Sequence, residues 1–471
     1  MFRSLLALTA AAVLAVLTPV SAAAHRVPSD GEIDFGDRLQ SIDGFGFAVA
    51  FQRAAAINGR FGLTVEHQRE VLDLLLSQER GAGLSIVRLG IGSSPTNPYD
   101  LMKSIQPQDP GGPNATPHYE WDGYDGGQVW LAQQAKAYGV TRFYADAWSA
   151  PGYMKDNGTD FGGGVLCGLP GTACPSGDWR AAYANYLIQY LRFYEGEGIR
   201  ISDVGFTNEP DFTASYASMR FDGPQITDFL RVLGPSLARA RLRTNIVCCD
   251  SAGWTEQEIL TNAIEADRAA ARWVDVHSGH VYKNPANLPL ATDRPVWMSE
   301  WQPTGNTWNE SWDDGSGWAG ITVAENIQDT LTQANASAYV YWVGASLGAT
   351  RAFIQLDGAN YHVSKRLWAM AAYSRFIRPG ATRTLARSPD PAVKMSAFRN
   401  PDGSKVIEIL NTATTAGRVN LALHGSPGSR PVTYLTDETH NLSRVGGDSV
   451  RGQHLAVELA PRSVTTVVLA R

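Results

Sequence analysis

The stretch WRAAYANYLIQYLRFYEGEGIRISDVGFTNEP, Trp179–Pro210, carries a helix pattern and a strand pattern back to back. Tyr183, Tyr186, Leu187, Tyr190, Leu191 and Tyr194 recur at three- and four-residue spacing and line one helical face. The apolar run that follows, Asp203–Phe206, is too short for a helix and breaks into Asn208-Glu209-Pro210. A helix that hands over to a buried strand is half of a β/α repeat, and the end of such a strand is where these folds gather chemistry.

Outward from this stretch the texture repeats. Strand-like runs occur at SIDGFGFAVA (41–50), LSIVRLGIG (84–92), VTRFYADAW (140–148), DVGFTNEP (203–210), TNIVCCDSAGW (244–254), WVDVHSGHVY (273–282), PVWMSEWQ (295–302) and SAYVYWVG (337–344), with longer helical patterns between them. Eight alternations predict an α/β fold of the (β/α)8, or TIM barrel, class. After Pro379 the pattern changes. AVKMSAFRNPDGSKVIEILNTA (392–413) reads as a hairpin around Asp402-Gly403, and PVTYLTD (431–437) and SVTTVVLAR (463–471) are further strands. GEIDFGDRLQSIDGFG (31–46) is also strand-like, so a side β-domain built from both chain ends is expected. No Pro/Ser/Gly-rich spacer separates the two parts, which predicts that they pack on each other. The expected division is 1–24 signal peptide, 25–44 N-terminal strand segment joining the side domain, 45–376 catalytic barrel and 377–471 side β-sandwich.

At 471 residues, 44% hydrophobic and 18% charged, the composition is that of a globular protein with a large core. The net charge of -6 comes without any basic run, so nucleic acid is not an expected partner. Arg3, the apolar run Leu5–Val20 and the small residues Ser21–Ala24 match a secretory signal peptide, which predicts a secreted, extracellular protein. No later run is long enough to span a bilayer, so no membrane partner is expected. Cys167 and Cys174 bracket a Gly/Pro turn and are expected to form a disulfide; Cys248 and Cys249 are either free thiols or a vicinal bridge. A monomer is expected.

Glu209 ends the fourth barrel strand and Glu300 the seventh, so the fold brings two carboxylates to one face. Glycoside hydrolysis needs such a pair: one carboxylic acid protonates the leaving oxygen, and the other carboxylate attacks or activates water. Asn208, beside Glu209, is suited to bond a sugar hydroxyl next to the anomeric carbon. Trp148 and Trp342, at the ends of strands three and eight, are either aromatic walls or core. Tyr282 is placed to donate to Glu300 or to pack, and His280 to line the floor or sit satisfied in the core. Arg88 either bonds the Glu300 carboxylate and lowers its pKa or makes a structural ion pair. Asp146, Asp211 and Asp250 are further strand-end carboxylates, but they are scattered and match no calcium or magnesium loop; no metal and no cofactor are expected.

The motifs IDGFGFAVAFQRA, LSIVRLGIG, YADAWSAPGYMKDNG, GFTNEPDFTASYASM, WMSEWQ and VSKRLWAMAAYSRFIRPG together resemble glycoside hydrolase family 30, and within it the mostly fungal xylanase subfamily, its seventh. The resemblance covers nearly all of the chain after the signal segment. It implies a barrel with a side β-sandwich, retention of anomeric configuration, Glu209 as acid/base and Glu300 as nucleophile. The implied activity is that of an endo-β-1,4-xylanase or glucuronoxylanase acting on polysaccharide. Cleavage of β-1,6-glucan, β-1,6-galactan or a glucosyl lipid is the alternative within the family, and a non-catalytic sugar-binding protein the alternative outside it. In the family's bacterial glucuronoxylanases a Trp-Tyr-Ile-Arg-Arg pattern follows strand eight. Here YWVGASLGATRAF (341–353) stands in its place, with Arg351 coming late. Arg53, in AFQRA, matches the position that the resemblance to the xylanase subfamily suggests for a glucuronate contact; its alternative is an ion pair at the first helix.

Overall fold

The computed structural model describes residues 30–96, 102–425, 430–446 and 449–470. Residues 1–24, expected to be a signal peptide, lie outside them, as do residues 97–101 of the connection after the second barrel strand. A first strand, β1 (Gly31–Ser41), precedes the barrel strands β2 (Gly44–Ala48), β3 (Ile86–Ile91), β4 (Arg142–Ala147), β5 (Asp203–Gly205), β6 (Asn245–Ser251), β7 (Val276–His280), β8 (Val296–Glu300) and β9 (Ala338–Tyr341). β2 to β9 pair in chain order, all parallel, and β9 returns to β2 to close the barrel. Each of the eight runs read from sequence contains one of these strands.

Period two sorts the barrel interior into layers. Ile86, Tyr144, Val247, Val276, Trp297, Ala338 and Val340 form an apolar cluster across it. Two residues further along β3, β4 and β8, the inward positions become Arg88, Asp146 and Ser299, all fully buried. The C-terminal end of the barrel is therefore polar where the other end is packed. Gly205 makes this possible on β5: a Cβ there would meet Asp146 Oδ1 at 2.0 Å and the Tyr144 hydroxyl at 2.6 Å. The run DVGFTNEP forms a strand only over Asp203–Gly205; Phe206–Pro210 leave the ladder and turn over the mouth. The helix Arg180–Gly196 buries the tyrosine face read from its sequence, and Tyr183 donates to the carbonyl of Phe206 at 2.8 Å.

A short three-stranded sheet, Ala345–Leu347, Ile354–Asp357 and Asn360–Val363, lies between β9 and the helix Lys365–Ser374. It was not expected, because strands of three and four residues are too short to show a period.

The rest of the chain forms a β-rich side domain. β1 lies between Thr382–Arg387, antiparallel to it, and Gly417–His424, parallel to it, so both ends of the chain build one sheet. The hairpin at Asp402-Gly403 joins Val393–Arg399 to Lys405–Asn411. Alternation there divides the side chains: Ile407 and Ile409 enter the side domain's own core, whereas Val406 and Leu410 join the cluster of the barrel. Lys394 Nζ reaches Asp329 Oδ2 at 2.8 Å across the same junction, and Ser396 donates to Gln328 Oε1 at 2.9 Å. Cys167 and Cys174 are bonded as expected, and Cys248 and Cys249 are bonded to each other. Among the described residues no helix is long and apolar enough to cross a membrane.

Candidate active site

A cavity of ≈ 480 Å³ opens at the C-terminal end of the barrel, and both Glu209 and Glu300 line it. An oxygen of each, with a ring nitrogen of His280, lies within 4.8 Å of the others. Glu209 and Glu300 are nearly buried, at 7% and 5% exposure, so neighbouring side chains rather than bulk water surround them.

Glu300 ends β8 inside a ring of donors. Tyr282 donates to its Oε1 at 2.9 Å, and Arg88 Nη1 bonds its Oε2. Burial raises the Glu300 carboxyl above its ordinary value, while His280 and Arg88 act to lower it. Arg88 bonds Glu300, and its Nη2 also reaches Asp146 Oδ2 at 2.7 Å, Asn208 Oδ1 at 2.7 Å and Asp250 Oδ2 at 2.9 Å. Asp146 and Asp250 therefore form a cradle for Arg88. Burial and the charge of Asp250 hold Asp146 well above the carboxylate range; against burial, Arg88 and His280 hold Asp250 well below it. Tyr144 adds a bond to Asp250 at 2.6 Å. Asp211 stands apart, paired with Lys283.

Glu209 is held differently. Its backbone is left-handed, with φ 49°, as is that of Asp250 at 55°, and Glu209 N donates to Asp250 O at 2.8 Å. Non-glycine residues in this region cost of order 1–3 kcal/mol each and cluster at functional sites. Tyr216 donates to Glu209 Oε2 at 3.3 Å, and His280 Nδ1 lies 3.2 Å from Oε1. His280 is fully buried, which alone would lower its pKa; Glu300, with Asp250 and Glu209, outweighs burial and raises it to about 10. His280 Nε2 stands 3.9 Å from Glu300 Oε2, so the imidazolium sits between the two glutamates. Set between two carboxylates, the ring is placed for proton and charge management.

Asn208 is buried beside Glu209, and because arginine only donates, Arg88 fixes the Asn208 amide with its oxygen inward and its NH2 turned away. Trp148, buried, and Trp342, half-buried, both line the cavity with ring centroids 5.7 Å apart, and the Arg88 guanidinium lies 4.6 Å from the Trp148 ring. Arg53 opens the helix Arg53–Ile57, lines the cavity and donates to Phe51 O at 2.8 Å.

Tyr216, Phe51, Phe212 and Gln302 also line the cavity and were not singled out from sequence; Arg351, read there only as a late arginine, lines it too. Gln302, with its amide oxygen turned to Arg351, accepts from Nη2 at 2.9 Å and Nε at 3.2 Å. Gln302 does sit at a strand end, two residues after Glu300, and that position was its one available signal. Arg351 follows β9 by ten residues, so nothing local points to the cavity.

A family model described as O-glycosyl hydrolase family 30 matches residues 30–291. The chain belongs to glycoside hydrolase family 30. A second model, the family 30 β-sandwich domain, matches residues 380–467. The family 30 barrel and sandwich are similar to the catalytic domain of GH30 xylanase C from Talaromyces cellulolyticus, with 36% identity and a TM-score of 0.88 over 94% of this chain and 100% of that one. The glucuronoxylanase XynC of Bacillus subtilis is 26% identical over 305 residues, 62% of this chain and 67% of that protein. The endo-1,6-β-D-glucanase BGN16.3 of Trichoderma harzianum is 26% identical over 437 residues, 84% of each. This family 30 chain is a glycoside hydrolase.

Proposed function

We propose that the protein is an exported, retaining β-1,4-xylanase that takes xylan or glucuronoxylan by double displacement. The observation that carries the reading is the approach of the Glu209 and Glu300 carboxylates to within 4.8 Å. Retaining enzymes hold their carboxyl groups about 5–5.5 Å apart, whereas inverting ones leave about 6.5–9.5 Å for a water. Glu300, bonded by Arg88 and Tyr282, is the nucleophile that forms the glycosyl-enzyme. Glu209 gives its proton to the leaving oxygen and then takes one from the incoming water. His280, between them, stays beside the negative charge, which passes from Glu300 to Glu209 as the glycosyl ester forms and the leaving oxygen takes the Glu209 proton. Asn208 presents its NH2 toward the substrate hydroxyl beside the anomeric carbon. Trp148 and Trp342 form the apolar wall for the sugar face. Export rests on the apolar N-terminal run and its small-residue end.

Xylan is favoured by the likeness to the Talaromyces xylanase at 36% identity over almost the whole chain. Arg53 and Arg351 both line the cavity and suit the carboxylate of a glucuronate branch. A second reading, β-1,6-glucan, is favoured by the 84% two-way coverage with the Trichoderma glucanase. Hydrolysis of glucuronoxylan, unbranched xylan, β-1,6-glucan and β-1,6-galactan decides between them. Xylan products that keep the β-configuration in early NMR spectra are expected; turnover of β-1,6-glucan alone would overturn the xylan reading, and α-products the retaining one.

A further inference from the structure

Among the apolar side chains exposed outside the cavity, Phe161 sits in a connection at the C-terminal end of the barrel. Phe161 is 51% exposed, in the connection after β4. Its backbone is nonetheless tightly held. Its carbonyl accepts from Asn157 Nδ2 at 3.0 Å and Thr159 Oγ1 at 2.7 Å, and the next residue, Gly162, donates to Ala214 O at 2.9 Å. Lys155 Nζ ties this connection to the one after β5, through Ser149 Oγ at 2.9 Å and Ser218 O at 2.8 Å. A ring on so fixed a frame is presented to solvent at little further entropy cost when a partner covers it.

The direction of that ring follows from pairing. Phe161 and Ala217 form an antiparallel bridge, and opposed residues place their side chains on one face. Ala217 is buried in the cluster of Ala50, Phe51, Met102 and Trp148, part of which walls the cavity. Phe161 therefore extends that apolar wall outward over the rim. The connection that carries Ala217 issues from Glu209, the group that faces the leaving oxygen, and it also presents Phe212, 42% exposed.

We propose that Phe161 is a stacking platform for a sugar of the leaving-group chain, beyond the sugars that contact the glutamates. The inference rests on the glycanase reading above. Its occupant is a β-linked pyranose, whose axial C–H face covers a flat ring. The enzyme then gains affinity from chain on the leaving side and acts best on long substrates.

The test compares Phe161→Ala with Phe161→Trp and the parent. Rates are measured on an oligosaccharide of six sugars and on a 4-nitrophenyl glycoside of two, from the xylan or β-1,6-glucan series, whichever the parent cleaves. The second readout is transfer of the glycosyl group from the aryl substrate to a disaccharide acceptor rather than to water, which senses the leaving-group side alone. Phe161→Ala is expected to lower kcat/KM on the hexasaccharide relative to the aryl glycoside by on the order of 3- to 10-fold, the worth of one aromatic contact. It should lower the transfer-to-hydrolysis ratio in parallel, and Phe161→Trp should restore both. Equal losses on the two substrates, no loss on either, or an unchanged transfer ratio would overturn the proposal. A parent inert on both series would overturn the glycanase reading, and the platform with it. Loss of aryl hydrolysis in Glu300→Ala marks that reading as sound independently of Phe161.

Discussion

Glu300 meets three donors of different kind: the Arg88 guanidinium, the Tyr282 hydroxyl and, at ion-pair distance, the His280 imidazolium. Glu209 has a single hydroxyl, from Tyr216, beside the same imidazolium. The asymmetry fits the proposed roles, in which the more heavily bonded carboxylate, Glu300, is the nucleophile. Glu300→Ala should abolish turnover of all substrates, by about 10⁴-fold or more. Glu209→Ala should act most on poor leaving groups, and azide should restore its second step with a β-glycosyl azide as product. A retained β-glycosyl azide from the Glu300 variant, with an inverted α-glycosyl azide from the Glu209 variant, would exchange the roles. Arg53 and Arg351 are distinguished by partners: Gln302 orients Arg351, whereas Arg53 lies over Phe51 with its guanidinium 5.8 Å from the ring centroid. If Arg53 reads a glucuronate branch, Arg53→Ala lowers kcat/KM on glucuronoxylan by about 10- to 100-fold, equivalent to a charge-assisted bond of about 1.5–3 kcal/mol, and spares unbranched xylooligosaccharides. Equal losses on both would make it a structural residue.

Between β3 and the helix Gln128–Ala137, the connecting chain is anchored by Asp125. Its Oδ2 accepts from Tyr190 at 2.6 Å, Tyr194 at 2.7 Å and Gln128 Nε2 at 2.9 Å, joining this connection to the helix Arg180–Gly196. Burial pushes the Asp125 carboxyl up to about 6, although all three bonds pull it down. A folded pKa above the unfolded value, near 3.9, gives a stability contribution that is full below about pH 3.9 and lost as pH rises through about 6. Asp125→Asn removes this dependence. The Tm of the parent minus that of the variant is therefore expected to grow as pH falls from 7 to 4 in a calorimetric series. A constant difference would show that Asp125 titrates as in the unfolded chain. The same element shows why the tyrosine face was legible and its purpose was not: spacing gives the buried side of the helix, whereas the carboxylate that collects Tyr190 and Tyr194 lies 65 and 69 residues away in sequence.

Over the whole molecule, the side domain is fastened by β1 and by a mixed junction. Trp312 Nε1 donates to Arg462 O, Lys365 Nζ reaches Asp437 O at 2.7 Å, and Arg462 pairs with Asp313 at 2.6 Å. We propose a boundary at 376/377, but one that does not yield an independent barrel. A chain ending at Ser374–Phe376 would leave β1 without either neighbour and bare the barrel surface covered by Val406, Leu410 and Val464. Expression of residues 25–376 should give an insoluble product or a Tm lower by about 10 °C or more, with activity lost in step. A truncated barrel with unchanged Tm and rate would refute the junction's role.

The eight strands, the strand ends that carry Glu209 and Glu300, and the two-ended β-domain were legible from the residues alone. Those features follow from local period, strand length and turn residues, which each segment carries within itself. The sequence also narrowed Arg88, Tyr282 and His280 to two readings each. It took the folded barrel to bring Arg88 to carboxylates 58, 162 and 212 residues away, to join Cys248 to Cys249 and to return Arg351 to the cavity. The physical reason is closure: β9 must pair with β2 before the inward residues of eight separate strands share one dielectric, and until then each is a charge on a solvated chain.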